Sequence, residues 1–409
     1  LSISDVPDVP DPRLLHREVQ EFIRAHVSAD VHELSLKQPA ERFGLPFRDI
    51  AEQIAGLQKA RYKLPRYFST TGIVYPPSSN LEQCSSEKTA SYKAMQAAAF
   101  SSPFRSRCVD LTGGFGVDAY FLSQHYQELH CVEPDGRLLR LARHNHRLLG
   151  AFNVSYHETD AEGFLNETAL TFDLAYVDPA RRTESNQRRI ELTGYSPDIR
   201  SLTTFLGKAF PRLLLKASPM LDIDRGLQVI PNVARVAVVA LAGEVRELLF
   251  FSEAGYAGEP RLEAVDLSAD LPPLSFYRRE ENAAEVSFSG PLKYMYEPGS
   301  EVLKAGAFRL VASRFGLAKL HPNTHLYTSD ALVPGFPGRT YETMTVARRF
   351  GPELKSSFPG QMANVVVRNY PLSADQLRKR AGLKEGGERY LLAFTSTEGP
   401  MLAVANRLR

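Results

Sequence analysis

Four short apolar runs between residues 108 and 178 each lead into an acid: Cys108-Val109 into Asp110, Leu129 to Val132 into Glu133, the run from Val154 into Asp160, and Phe172 to Val177 into Asp178. Runs this short, separated by longer stretches of mixed polarity, predict parallel strands joined by crossover helices. Acids at successive strand ends mark the carboxyl edge of such a sheet, where α/β folds bind ligands. Two more apolar runs, Arg212 to Lys216 and Val233 to Leu241, extend the pattern, and Glu247 to Phe251 reads as an antiparallel partner. Ahead of the sheet, helical periodicity covers Leu14 to Ala25 (Leu15, Val19, Phe22 and Ile23 on one face), Phe47 to Ala60 (Ile50, Ile54 and Leu57 inward), and Glu87 to Phe100, with Ser86 as its cap.

The alternation breaks at Asp270-Leu271-Pro272-Pro273 and again at Val333-Pro334-Gly335-Phe336-Pro337-Gly338. Between the breaks, Val302 to Phe315 predicts a helix and Leu326 to Thr328 a strand. After them come a strand at Ala363 to Arg368, a capped helix at Ser373 to Arg380, and a hairpin of Tyr390 to Ser396 with Met401 to Ala405. This gives four expected regions: a helical 1–84, the sheet domain 85–270, and two small α+β domains at 271–333 and 334–409.

Composition adds boundaries. The apolar share of 43% and charged share of 23% over 409 residues are those of a globular protein with several cores. No run is long enough to span a bilayer, and Leu1 to Pro7 shows neither a basic nor an apolar signal region, so a cytoplasmic location is expected. Cys84, Cys108 and Cys131 are an odd, sparse set, and reduced thiols are expected of them. The formal net charge is only +2, but residues 339–409 hold 12 Lys+Arg against 6 Asp+Glu, a local +6 that hints at phosphate-bearing partners.

The first strand runs into Asp110-Leu111-Thr112-Gly113-Gly114-Phe115-Gly116-Val117-Asp118. Gly113, Gly114 and Gly116 let the backbone turn sharply and approach a ligand without a Cβ in the way, with Thr112 inside the same turn. Asp110 is placed to accept from an ammonium, and Glu133 has the position from which a carboxylate takes both ribose hydroxyls. Asp160 can accept from an adenine amine, with the Ala161 N–H reaching a ring nitrogen. Together these are the needs of S-adenosylmethionine (SAM). The turn also satisfies a dinucleotide fingerprint. NAD is opposed by Asp118, a negative charge where a pyrophosphate would sit, and by Asp160 and Asp178-Pro179, which have no role in that pattern. Taken singly, each acid reads as a strand-end cap; the four in register support a site.

Asp178-Pro179-Ala180-Arg181 stands where methyltransferases acting on exocyclic amines carry an acid or amide, two prolines and an aromatic. Such an amine is a poor nucleophile because its lone pair is delocalised. Asp178 and the carbonyl held by Pro179 can accept its N–H bonds and aim the lone pair, so alignment and electrostatics supply the rate. Ser86-Glu87-Lys88-Thr89-Ala90, the glycine turn, Glu133, Asn145 and Asp178-Pro179 together resemble the trimethylguanosine-synthase type of RNA guanine-N2 methyltransferases, over about residues 85–185. The whole chain resembles a bacterial group of methyltransferases with a THUMP-like C-terminal domain. That resemblance implies an α/β fold: a Rossmann-like seven-stranded methyltransferase sheet with an N-terminal helical region, then a ferredoxin-like and a THUMP-like α+β domain. It also implies SAM as cofactor and a structured RNA, tRNA or rRNA, as partner. The chain departs from the motif at Ala180-Arg181. A guanidinium can stack on a base or hold a phosphate, which makes Arg181 a candidate beside Asp178 and Pro179; Tyr195 reads either as a substitute ring or, more simply, as a surface or core tyrosine.

Arg181, Arg182, Arg188 and Arg189 could take phosphates or form a solvated loop. Lys59-Ala60-Arg61-Tyr62-Lys63-Leu64-Pro65-Arg66-Tyr67-Phe68 interleaves bases and aromatics, as a strand-holding segment would, or as a helix end whose tyrosines pack inward. His144 and His146 lie two apart and face different ways on a helix, and His321 and His325 fall in a loop, so no metal site is expected. Three functions follow: methyl transfer to a base nitrogen of RNA, methyl transfer to a protein or small-molecule amine, or RNA binding by a vestigial cofactor fold.

Overall fold

The computed structural model describes residues 11–101, 103–181 and 195–408. The chain divides into two compact units, one running to Ala234 and including Leu248–Gly258, the other comprising Arg235–Glu247 and the residues from Glu259 onward.

The first unit opens with α1 (Arg17–Ala25) and α2 (Phe47–Lys63). Val19, Ile23, Ile50, Ile54 and Leu57 are buried as their spacing requires. Leu14 is buried and Leu15 only partly, because a 3-10 turn, Pro12–Leu15, capped by Asp11, precedes α1 and alters the register. Helix α3 (Glu87–Phe100) starts at Ser86, whose Oγ accepts from the Thr89 N–H.

The sheet follows: β1 (Arg107–Asp110), α4 (Val117–Ser123), β2 (Glu128–Val132), α5 (Gly136–Leu148), β3 (Val154–His157), α6 (Ala161–Glu167), β4 (Leu174–Val177) and β5 (Arg212–Ala217). The parallel pairs are β3 with β2, β2 with β1, β1 with β4, and β4 with β5. The chain thus leaves β1 toward one side, through β2 and β3, and resumes on the other side at β4. This reversal opens a crevice at the carboxyl end of β1.

Strands β6 (Val233–Leu241) and β7 (Glu244–Glu253) come next. Residues Leu248 to Glu253 of β7 run antiparallel to β5, the expected reversed partner. In the second unit β6 pairs in parallel with β8 (Arg261–Asp266), which pairs antiparallel with β9 (Leu274–Phe276). Strand β7 belongs to both units: residues 244–247 to the second, 248–253 to the first. Among the described residues the sheet has nine strands, β8 and β9 included, where seven are expected.

The second unit also contains β10 (Tyr294–Pro298), α7 (Ser300–Ala305), α8 (Leu310–Phe315), β11 (Ala318–His321), β12 (Thr324–Ser329), β13 (Gly338–Ala347), β14 (Met362–Arg368), α9 (Ala374–Ala381), β15 (Lys384–Ser396) and β16 (Gly399–Arg407). Their strands form one sheet in the order β11-β12-β10-β13-β16-β15-β14. The β10–β13 pair joins strands from either side of the Val333–Gly338 break. The expected single helix from Val302 to Phe315 is two helices, because Gly306 takes φ +79° and caps the first. No helix among the described residues is long and apolar enough to cross a membrane.

Candidate functional site

Asp110 ends β1 with no exposed surface. Its Oδ1 accepts from the Thr112 N–H at 3.0 Å, while Oδ2 is buried and has no hydrogen-bond partner. Burial lifts this carboxyl well above the ordinary range; Asp118 and Asp178 add to the effect and the Thr112 bonds only partly oppose it. A buried carboxylate oxygen without a partner calls for a donor from outside the chain, such as a ligand ammonium.

The glycine turn is shaped by close approach. A Cβ on Gly113 would meet Cys131 Sγ at 2.5 Å, so this backbone passes closer to β2 than any side chain allows. Gly116 has φ +86°, and its carbonyl accepts from His146 Nε2 at 2.8 Å. That bond leaves His146 Nδ1 to accept from the Tyr156 hydroxyl at 3.0 Å. Gly114 donates its N–H to Glu133 Oε2 at 2.8 Å, and Asp135 donates to Oε1 at 2.9 Å. Glu133 is therefore held by two backbone donors beside the turn. Burial raises its carboxyl and the two bonds oppose the shift.

Asp160 caps α6, its Oδ1 accepting from Gly163 N–H at 2.7 Å, and Ala161 is the first residue of that helix. The capping role foreseen for a single acid is thus filled by one of its oxygens. Asp178 follows β4. Its N–H donates to Thr112 Oγ1 at 2.7 Å, and the same hydroxyl lies 3.4 Å from Asp110 Oδ1. One side chain thus links Asp110 to Asp178. Pro179 is buried, and Ala180–Arg181 pairs with Tyr195–Ser196 in a short antiparallel ladder. Arg182, Arg188 and Arg189 lie outside the described residues.

Two lysines escaped sequence reasoning. Lys216 Nζ lies 2.5 Å from Asp178 Oδ2. The contact follows from register, since Val177 pairs with Leu215 and the next residues on the two strands are Asp178 and Lys216. Lys93, on α3 and almost fully buried, lies 3.2 Å from Asp118 Oδ1 and donates to Ser85 Oγ. Asp118 Oδ2 accepts from Ser85 Oγ at 2.7 Å and from the Tyr176 hydroxyl at 3.0 Å. Burial pushes Asp118 upward, but Lys93, Lys216 and the Ser85 bond outweigh it and hold the carboxyl below its usual range. With Lys93 beside it, Asp118 is compensated, and its charge is no argument against a dinucleotide. The alternation of Lys93 with the apolar face of α3 was the available signal, but a lysine in an amphipathic helix reads as solvated.

The basic-aromatic segment at 59–68 is largely structural. Lys59 binds Ser78 and Glu82, Lys63 donates to the Leu81 and Glu82 carbonyls, and Tyr67 is buried against Phe115 and Tyr120. Tyr62 is the exception, 83% exposed beside Arg61. Asn145 clamps Val74 through both backbone atoms. Cys108 and Cys131 are buried free thiols; Cys84 is half-buried, and burial raises its thiol to about 11. Among the described residues no group of His, Cys, Asp and Glu could hold a metal ion.

The unpartnered Asp110 oxygen, the Gly113 cradle and the braced Glu133 fit the ammonium, the backbone approach and the ribose of SAM. A crystal structure from Porphyromonas gingivalis W83, provisionally described as that of a methyltransferase, is 31% identical, with a TM-score of 0.83, and the match covers 98% of this chain and 100% of that one. The chain belongs to this family of class I methyltransferases. A ferredoxin-like domain family matches residues 294–337 and a THUMP domain-like family matches 338–407, so the fold class expected from the resemblance is the one present. An uncharacterized SAM-dependent methyltransferase of Mycobacterium tuberculosis, from strains CDC 1551 and H37Rv, is 25% identical over 252 residues. That match spans 60% of this chain and 65% of the relative's length.

Proposed function

We propose that the protein is a SAM-dependent methyltransferase whose acceptor is a base nitrogen, an exocyclic amine, of structured RNA. The observation that carries this reading is the Thr112 hydroxyl between Asp110 and the Asp178 N–H, which puts an acceptor acid beside the cofactor acid. SAM, when bound, supplies an electrophilic methyl group on a sulfonium. Asp110 then receives the methionine ammonium on Oδ2, Glu133 the ribose hydroxyls, and Asp160 with the Ala161 N–H the adenine. Asp178 and the carbonyl fixed by Pro179 accept the N–H bonds of the amine and turn its lone pair toward the methyl. The proton lost after transfer passes to solvent, since no strong base is needed once the nitrogen has reacted.

RNA as the acceptor is supported by the THUMP domain-like match at 338–407 and by the local +6 charge of 339–409. Arg181, in place of the usual aromatic, would stack on the base or hold a phosphate. A reducing cytoplasm suits three free thiols.

The test is calorimetric titration with S-adenosylhomocysteine (SAH), with NAD as control, followed by transfer of radiolabelled methyl to RNA at two salt concentrations. Micromolar SAH binding without NAD binding, and RNA labelling that weakens steeply with salt, are expected. Asp178→Ala should abolish labelling with SAH affinity nearly unchanged, whereas Glu133→Ala should weaken SAH binding. Labelling of protein and not of RNA would overturn the acceptor class.

A further inference from the structure

Lys216 has no place in the motifs of the site, yet among the described residues it is in direct contact with the acceptor acid. It stands at the end of β5, one residue beyond the Val177–Leu215 pair, with its ammonium 2.5 Å from Asp178 Oδ2 and its side chain only 16% exposed. Asp178 itself is fixed at its backbone by Thr112 Oγ1. Around the pair stand Asp110 at the end of β1, Asp118 on α4, Lys93 on α3, and Lys63 and Cys84 from the N-terminal segment, all of which interact electrostatically with Asp178, Lys216 or one another. Asp110 interacts electrostatically with both Asp118 and Asp178, and Lys216 is in direct contact with the Asp178 carboxylate.

We propose that Lys216 is a positioning residue for the acceptor carboxylate: it binds Oδ2, offsets the charge of Asp178, and leaves Oδ1 to accept from an uncharged N–H. The inference rests on the acceptor role given to Asp178 above. It also defines the acceptor more narrowly. An alkylammonium would meet the Lys216 charge beside a carboxylate already paired, whereas a neutral conjugated amine needs only one well-aimed acceptor oxygen.

Two measurements test this. The first is affinity for SAH and for sinefungin, an analogue with an ammonium in place of the sulfonium methyl, in the full-length protein and in Lys216→Met and Lys216→Arg. Removing the lysine charge exposes Asp178 to the analogue's ammonium. Lys216→Met should therefore raise the sinefungin-to-SAH affinity ratio by about tenfold, as expected for one uncompensated charge at close range, while Lys216→Arg keeps the original ratio. The second is transfer of tritiated methyl from SAM to total RNA of cells lacking the gene. Lys216→Met should lower kcat by about tenfold or more with little change in KM for SAM, and Lys216→Arg should recover most of it. An unchanged ratio in Lys216→Met overturns the proposal, as does equal loss of SAH affinity in both variants, which would mark Lys216 as structural. If the wild-type protein labels no RNA, the RNA reading falls, while the affinity ratio still decides the role of Lys216.

Discussion

Burial raises the Asp110 carboxyl, and an incoming ammonium at its unpartnered oxygen would lower it again. Below that raised value cofactor binding should therefore expel a proton, and affinity should rise with pH until it is passed. Calorimetry with SAH in two buffers of different ionisation enthalpy measures this; equal heats would mean that Asp110 is already ionised in the free protein. His146 sets a second pH dependence. Burial pushes its ring down to about 4 from 6.5, so the unfolded chain binds the extra proton. Its contribution is present above pH 6.5 and is lost as pH falls toward 4, by about 3 kcal/mol in full. Urea midpoints at pH 7 and pH 4.5 check this, and His146→Gln should flatten the difference. At this scale the sequence is a good guide to residues whose role is local. Asp110, Gly113 and Glu133 sit at strand ends or in a turn that their neighbours define. Lys93 and Lys216 are different: each acquires its partner through packing or register with a distant segment, and nothing near it in the chain signals the contact.

The glycine turn joins strand to helix, and its three glycines are not equivalent. Gly114 has φ +51° and a Cβ there would meet only the Thr112 carbonyl oxygen at 3.9 Å, whereas Gly116 has φ +86° and would drive a Cβ into His146 Nε2 at 2.7 Å. Gly116→Ala should cost about 2–4 kcal/mol from backbone strain and overpacking, and Gly114→Ala only about 1–2. Thermal denaturation in parallel should rank them in that order; the reverse ranking would mean that α5 yields more readily than its buried position suggests. Elements carried by pattern alone are legible: α3 and β6 begin and end where their caps and apolar runs say. The helix expected over Val302 to Phe315 is not one helix, because a single glycine within helical periodicity reads as tolerated until the backbone is seen to turn left-handed there.

At the scale of the molecule, the chain forms two compact units, and the course of β7 explains why no composition break marks the division. The chain crosses from one unit to the other within β7, where no linker is needed. A chain ending at Ala234 would lack Leu248 to Glu253, the strand that pairs with β5, and with it the support of the Lys216 backbone. Such a chain should bind SAH far more weakly than the full protein and unfold with a broadened transition; near-normal binding would show that β5 holds its place without β7. The same strand bears on descent. Here no single cut separates the two units intact, so the C-terminal part cannot have been exchanged freely once β7 was shared, and the two would have been inherited together.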